Sequence, residues 1–171
     1  GTSYANREEV INLLTSGSIT LYAKWQEHTY KVVFNANNGT SETVEQNFTY
    51  EETKALTANT FTRVGYTYQG WATSENGSVV YDDALQVQHL TSKDNEVINL
   101  YAVWTANSYV IEFDANTGKG TMDDMSMTYD VAKTLSANSF TRDGYTFVGW
   151  NTRADGTGTS YANREEVINL L

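Results

Sequence analysis

Gly1–Leu14 reads GTSYANREEVINLL, and Gly158–Leu171 reads the same fourteen residues. An identical run at a spacing of 157 residues marks a tandem array of closely similar copies. Shorter repeats lie inside that spacing. Tyr30-Lys-Val-Val-Phe34-Asn-Ala-Asn37 returns as Tyr109-Val-Ile-Glu-Phe113-Asp-Ala-Asn116, and Leu56-Thr-Ala-Asn-Thr-Phe-Thr-Arg63 returns as Leu135-Ser-Ala-Asn-Ser-Phe-Thr-Arg142. Gly65-Tyr-Thr-Tyr-Gln-Gly-Trp71 returns as Gly144-Tyr-Thr-Phe-Val-Gly-Trp150, and Leu21-Tyr-Ala-Lys-Trp25 as Leu100-Tyr-Ala-Val-Trp104, each 79 residues on. The unit is therefore about 78 residues long, in two alternating versions. On this reading 1–25 is the C-terminal part of a repeat (a helix and a last strand), 28–104 is a complete repeat, and 105–171 is a repeat lacking its last strand. The array is expected to run on past Leu171 with a close copy of Thr15–Trp25.

A unit of this size buries a modest core and folds with little margin. The chain has no cysteine, which removes disulfides, thioesters and thiolate metal sites, and no proline, where about 5% is ordinary. A net charge of −10 argues against nucleic acid and anionic membrane as partners. No apolar run approaches the roughly 20 residues of a membrane span, so no membrane insertion is expected within this segment.

Within a unit, Tyr30, Val32 and Phe34 face one way, as do Tyr109, Ile111 and Phe113, with Lys31 and Glu112 pointing outward, which is the period of a half-buried strand. Asn37-Asn-Gly39 and Asn116-Thr-Gly118 mark the following turn, with glycine expected to supply positive φ. A second strand is predicted near Thr43–Tyr50 and Met122–Tyr129, then an ordered loop pinned by Leu56 and Phe61, then a strand over Tyr66–Trp71. A helix is predicted next. Asn6, Asp83 and Asn163 stand as N-caps, with Glu9, Gln86 and Glu166 three residues on in capping-box positions, and Val10, Leu13 and Leu14 follow helical spacing. A last strand alternates Ile19, Leu21, Ala23 and Trp25. One sheet with a helix across one face would bury the alternating rows, so the predicted class is α+β.

Phe113–Gly118, Phe140–Trp150 and Leu100–Trp104, with their copies in the other unit, resemble three ordered motifs of the Listeria–Bacteroides repeat, or internalin B-repeat, family: F-D-A-N-x-G, F-T-R-x-G-Y-T-F-x-G-W and L-Y-A-x-W. The resemblance spans the whole chain. It departs at Thr57 and Ser136, where the family commonly carries proline. It implies tandem small β-grasp (ubiquitin-like) modules, each a mixed sheet of about four strands with one helix, arranged as an elongated rod. It also implies a secreted protein at the bacterial cell surface, attached to the cell wall, often an adhesin or invasin.

Candidate sites are few. Trp25, Trp71, Trp104 and Trp150 each end a strand, so core or interface packing is expected ahead of sugar stacking. Tyr22 and Tyr101 recur as outward positions and are the candidate ligand contacts. Asp82-Asp83 and Asp123-Asp124 invite a calcium reading, but no ligand loop of the D-x-[DN]-x-[DN]-G kind accompanies them, and no metal is expected. His28 and His89 lack partners at ligand spacing and are expected at the surface. Lys54 and Lys133 are the recurring lysines that an isopeptide crosslink would need, and their surroundings are polar. No catalytic constellation recurs, so neither an enzyme nor a cofactor is expected. The expected function is a stalk that carries a distal binding domain, its partners being neighbouring repeats of the same protein. The alternative is that the repeats bind a host protein or glycan by many weak contacts. A head-to-tail contact between chains through Ile19–Trp25, the spare copy of the last strand, is also expected.

Overall fold

The computed structural model describes residues 1–170. In the first complete unit β1 (Thr29–Asn35) takes a central place, because Tyr30, Val32 and Phe34 alternate into the core. It pairs antiparallel with β2 (Thr43–Thr49) on one side and parallel with β6 (Glu96–Ala106) on the other. β4 (Tyr66–Ala72) completes the mixed sheet at the far edge of β6, giving the order β2-β1-β6-β4. The first turn has positive φ at Asn37 and Gly39, but in the second it falls on Asn116 and Thr117. Gly118 is instead pressed against the carbonyl oxygens of Ala115 and Thr141, each 2.9 Å from where a Cβ would stand.

The α+β, β-grasp expectation is overturned: the described residues contain no helix, and the protein is all-β. Where the helix was predicted, Asp82 and Leu85 close a tight turn, Ala84 adopts φ 53°, and the chain enters the short strand β5 (Gln86–Val87). β5 pairs with β3 (Lys54–Ala55), at the head of the Leu56–Arg63 loop. A helix needs consecutive right-handed residues, and Ala84 and His89 (φ 55°) bound a segment too short to nucleate one. The expected N-cap works at long range. Asp83 Oδ1 accepts a 2.8 Å hydrogen bond from Asn59 N, and Asn163 Oδ1 one of 2.9 Å from Asn138 N. The reciprocal bond of the expected capping box comes from Glu8 and Glu165, whose carboxylates accept from Ala5 N and Ala162 N and close a turn.

The β3–β5 ribbon and its loop therefore cover the sheet in place of a helix. Leu56, Phe61 and Val87 pack with Tyr30, Val32, Phe34, Phe48, Trp71 and Leu100 in one buried cluster. The loop is rigid by construction: Asn59 accepts from Phe61 N and donates to Phe61 O, and Gln46 clamps Ala55 O and Thr57 N. Asp83→Ala is expected to cost about 1 kcal/mol in a denaturant melt, the worth of one solvent-accessible bond, with no helical signal to lose in far-ultraviolet circular dichroism.

The second unit repeats the plan in part. β7 (Ser108–Ile111) pairs with β8 (Met125–Thr128), β9 (Lys133–Thr134) with β12 (Glu166–Val167), and β10 (Trp150–Asn151) with β11 (Ser160–Tyr161). No described strand lies between β7 and β10, where β6 lies in the first unit. Residues 1–28 form no strand. The predicted helix of 1–14 is absent, and Ile19–Trp25, the predicted last strand, is exposed and forms no strand.

Candidate functional site

The feature built most fully from repeated residues is the joint between units. One residue, Asn107, separates β6 from β7. Asn107 N donates to Gly65 O at 2.8 Å, Asn107 O accepts from Tyr129 N at 2.8 Å, and Asn107 Oδ1 accepts from Thr67 Oγ1 at 2.6 Å. Three bonds on one residue fix the connection from both sides.

Gly65 lies within the Arg63–Tyr66 turn with φ +75°. The ring of Tyr129 lies flat on it, so a Cβ at Gly65 would sit 2.2 Å from Tyr129 Cδ1. Only glycine permits both the left-handed backbone and this approach. Tyr66 meets Tyr129 edge to face at 5.9 Å and donates to Asp130 Oδ2 at 2.8 Å. The Arg63 guanidinium lies over the Tyr66 ring, 3.8 Å from its centroid. Asp130 is held in turn by Asn169, whose side chain accepts from Asp130 N and donates to Asp130 Oδ1. The Asn169 amide, with the Tyr66 hydroxyl, holds the Asp130 carboxyl below its ordinary range, and the Asp130 carboxylate pushes the Tyr66 hydroxyl up.

Both halves of this joint recur apart from each other among the described residues. Arg142 lies over Tyr145 at 3.8 Å, as Arg63 does over Tyr66, and Gly144 has φ +79° with nothing within 4 Å of a Cβ. At the other end His28 O accepts from Tyr50 N at 3.0 Å, as Asn107 O does from Tyr129 N. Tyr50 stacks on His89 at 4.3 Å, and His89 pairs with Glu51 at 3.2 Å, in the places of Tyr129, Asn169 and Asp130.

The sequence reading missed this set, although the signal was present. Arg-x-Gly-Tyr and Tyr-[Glu/Asp] recur in both units, and the glycine motif figures in the sequence analysis only as a repeat and a family signature. The residues singled out instead are dispersed. Tyr22 is 88% exposed in the strandless N-terminal segment, whereas Tyr101 is half-buried in β6. Trp71 is buried, Trp104 is half-buried and donates to Ala36 O at 2.8 Å, Trp150 is half-buried, and Trp25 is 89% exposed. Asp82 and Asp123-Asp124 are exposed, and no group of three potential metal ligands converges among the described residues. Lys54 and Lys133 donate to the backbone oxygens of Asn47 and Ser126. No helix among the described residues is long and apolar enough to cross a membrane.

Comparison with known proteins matches two segments, 30–103 and 109–169, to the model of the Listeria–Bacteroides repeat domain. A putative membrane protein of Evansella cellulosilytica is 31% identical over 156 residues, which is 85% of this chain and 21% of that protein. A putative Gly-rich membrane protein of the same organism is 33% identical over 103 residues, 58% of this chain and 12% of that protein. Internalin H of Listeria monocytogenes is 33% identical over 135 residues, 78% of this chain and 22% of that protein. The chain thus spans about a fifth or less of the length of these relatives.

Proposed function

We propose that this chain, which belongs to the Listeria–Bacteroides repeat family, is a non-catalytic spacer segment of a bacterial surface protein, holding a distal binding domain away from a cell wall. The observation that carries this reading is the joint at Asn107. A one-residue connector hydrogen-bonded on both sides leaves successive repeats little freedom to swing. Each unit then contacts only its neighbours, and the array grows in one dimension. The surface location draws support from relatives named as an internalin and as membrane proteins. The recurrent polar residues are engaged in loop clamps and joints, which suits a mechanical role.

β6 has eleven residues and leads straight into β7, so at about 3.3 Å per residue a repeat advances the array by roughly 30–40 Å. Small-angle scattering of arrays with two, three and four complete repeats is expected to show a maximum dimension that rises linearly by that step. A dimension that levels off sinks the spacer reading. Array-dependent capture on host cells would favour the multivalent alternative.

A further inference from the structure

We propose that Asn76-Gly77 is a modification site, a point of spontaneous deamidation that gives the first unit the carboxylate its sister copy carries at Asp155. The other Asn-Gly pair, Asn38-Gly39, is locked against the same reaction by the fold. The inference is independent of the spacer reading.

In an Asn-Gly pair the glycine backbone nitrogen attacks the side-chain carbonyl carbon of the asparagine. The new N–C bond closes a cyclic imide, the bond from that carbon to Nδ2 breaks, and ammonia leaves with the backbone amide proton. Water then opens the imide at either carbonyl. One product is an aspartate with an ordinary backbone, the other an isoaspartate whose backbone runs on through Cβ. Water is the only co-reactant.

The two pairs have different surroundings. Asn38 is half-buried, its Nδ2 donates to Thr62 O at 2.9 Å, and its Oδ1 accepts from Thr40 N at 3.1 Å and Thr40 Oγ1 at 2.7 Å. The leaving amide is thus fastened to the Leu56–Arg63 loop, and the side chain cannot swing onto Gly39 N until these bonds break. Asn76 is exposed in the Ser74–Gly77 turn that follows β4, and its side chain has no hydrogen-bond partner among the described residues. What restrains this pair is the bond of 3.0 Å from Gly77 N to Ser74 O. A single exposed turn bond opens locally far more often than three bonds that tie two loops together. Packing favours glycine at 77, since a Cβ there would lie 2.9 Å from Ser74 Oγ and 3.1 Å from Ala72 Cβ. The turn therefore keeps the residue that leaves the attacking nitrogen least shielded.

The sister unit shows where the ordinary product settles. Asp155-Gly156 lies 79 residues on, in a turn closed by Gly156 N donating to Arg153 O at 3.0 Å. Asp155 Oδ1 accepts from Thr157 Oγ1 at 2.7 Å and from Thr157 N at 3.0 Å, and these bonds, the hydroxyl's foremost, hold its carboxyl below the ordinary range. Ser78 stands in the place of Thr157 and offers the same N–H and hydroxyl to a carboxylate at 76. The isoaspartate product instead lengthens the backbone beside Glu75. Glu75 O accepts from Asn37 Nδ2 at 2.9 Å, and the same Nδ2 donates to Ala102 O at 3.0 Å. This tie between the turn, the end of β1 and β6 is the one the longer backbone loosens.

Peptide mapping by mass spectrometry of the full chain, aged in mildly alkaline buffer, tests this. The expected result is the amide-to-acid mass gain, with isoaspartate, in the peptide that holds Asn76. It should appear at least about tenfold faster than in the peptide that holds Asn38. In chain unfolded by urea the two pairs should react at similar rates, which assigns the difference to the fold. Asn76→Asp should melt no lower than the unaged chain, because Ser78 receives the carboxylate. The inference is overturned if Asn38 reacts as fast as Asn76 in the folded chain, if Asn76 stays intact while the unfolded chain reacts to completion, or if Asn76→Asp melts clearly lower.

Discussion

Trp71→Ala is expected to destabilise the first complete unit by about 3–5 kcal/mol, the cost of removing a large buried aromatic. Trp71 is 1% exposed and takes three aromatic neighbours edge to face: Phe34 at 4.8 Å, Tyr68 at 5.3 Å and Phe61 at 6.2 Å. It thus joins β1, β4 and the Leu56–Arg63 loop, and no single neighbour can collapse into its space. A unit of this size has a total stability near the lower end of roughly 5–15 kcal/mol, so the loss brings it close to unfolding. At about 4–8 °C per kcal/mol, the thermal midpoint of that unit should fall by roughly 12–40 °C. Trp104→Ala should cost less, about 2–3 kcal/mol, because Trp104 is half-buried even though it loses its bond to Ala36 O. Trp71→Phe should be milder still. It keeps an aromatic ring and removes a buried indole N–H that has no partner. Should Trp71→Ala and Trp104→Ala prove equal, the core is centred elsewhere than this packing indicates.

The two copies of GTSYANREEVINLL explain how much of this fold was legible in the sequence. Both form the same local turn: Arg7 and Arg164 have φ 60° and 63°, Asn12 and Asn169 have φ 55° and 50°, and Glu8 N and Glu165 N close back on Ala5 O and Ala162 O. Yet only the second copy makes strands β11 and β12, with Val167 5% exposed where Val10 is 44% exposed. Turn geometry is written in the residues themselves, whereas strand pairing needs a partner the segment does not contain. The long alternating strands were readable because their period reports one buried face. The helix was misread because Val10, Leu13 and Leu14 imitate helical spacing, and because Asp83 and Asn163 have N-cap chemistry that is used across a loop gap of 24 or 25 residues. That partnership has no local signature. The joint could have been read from the repeated Arg-x-Gly-Tyr, but its mate sits 64 residues away in the next unit.

Gly65→Val is expected to open the joint while leaving both units folded. Two effects act at Gly65, and Gly144 separates them. At both positions φ is near +80°, so a β-branched residue costs about 1–2 kcal/mol of backbone strain in either unit. At Gly144 nothing lies within 4 Å of the new Cβ, and in dilute solution the strain is the whole effect. At Gly65 the Cβ also falls inside the Tyr129 ring, at 2.2–2.4 Å from Cδ1, Cγ and Cδ2. The ring must leave, and with it go the edge-to-face contact to Tyr66 and the alignment of Tyr66 with Asp130. The surplus of Gly65→Val over Gly144→Val should be about 1–1.5 kcal/mol, since the half-buried Tyr129 gives up only part of the burial of a large side chain. In a two-repeat array the substitution should shorten the maximum dimension and broaden the distance distribution in scattering, whereas Gly144→Val should change neither. Equal costs for the two variants, with an unchanged array length, would mean that Asn107 alone holds the repeats in line and that the tyrosine lid contributes nothing to stiffness.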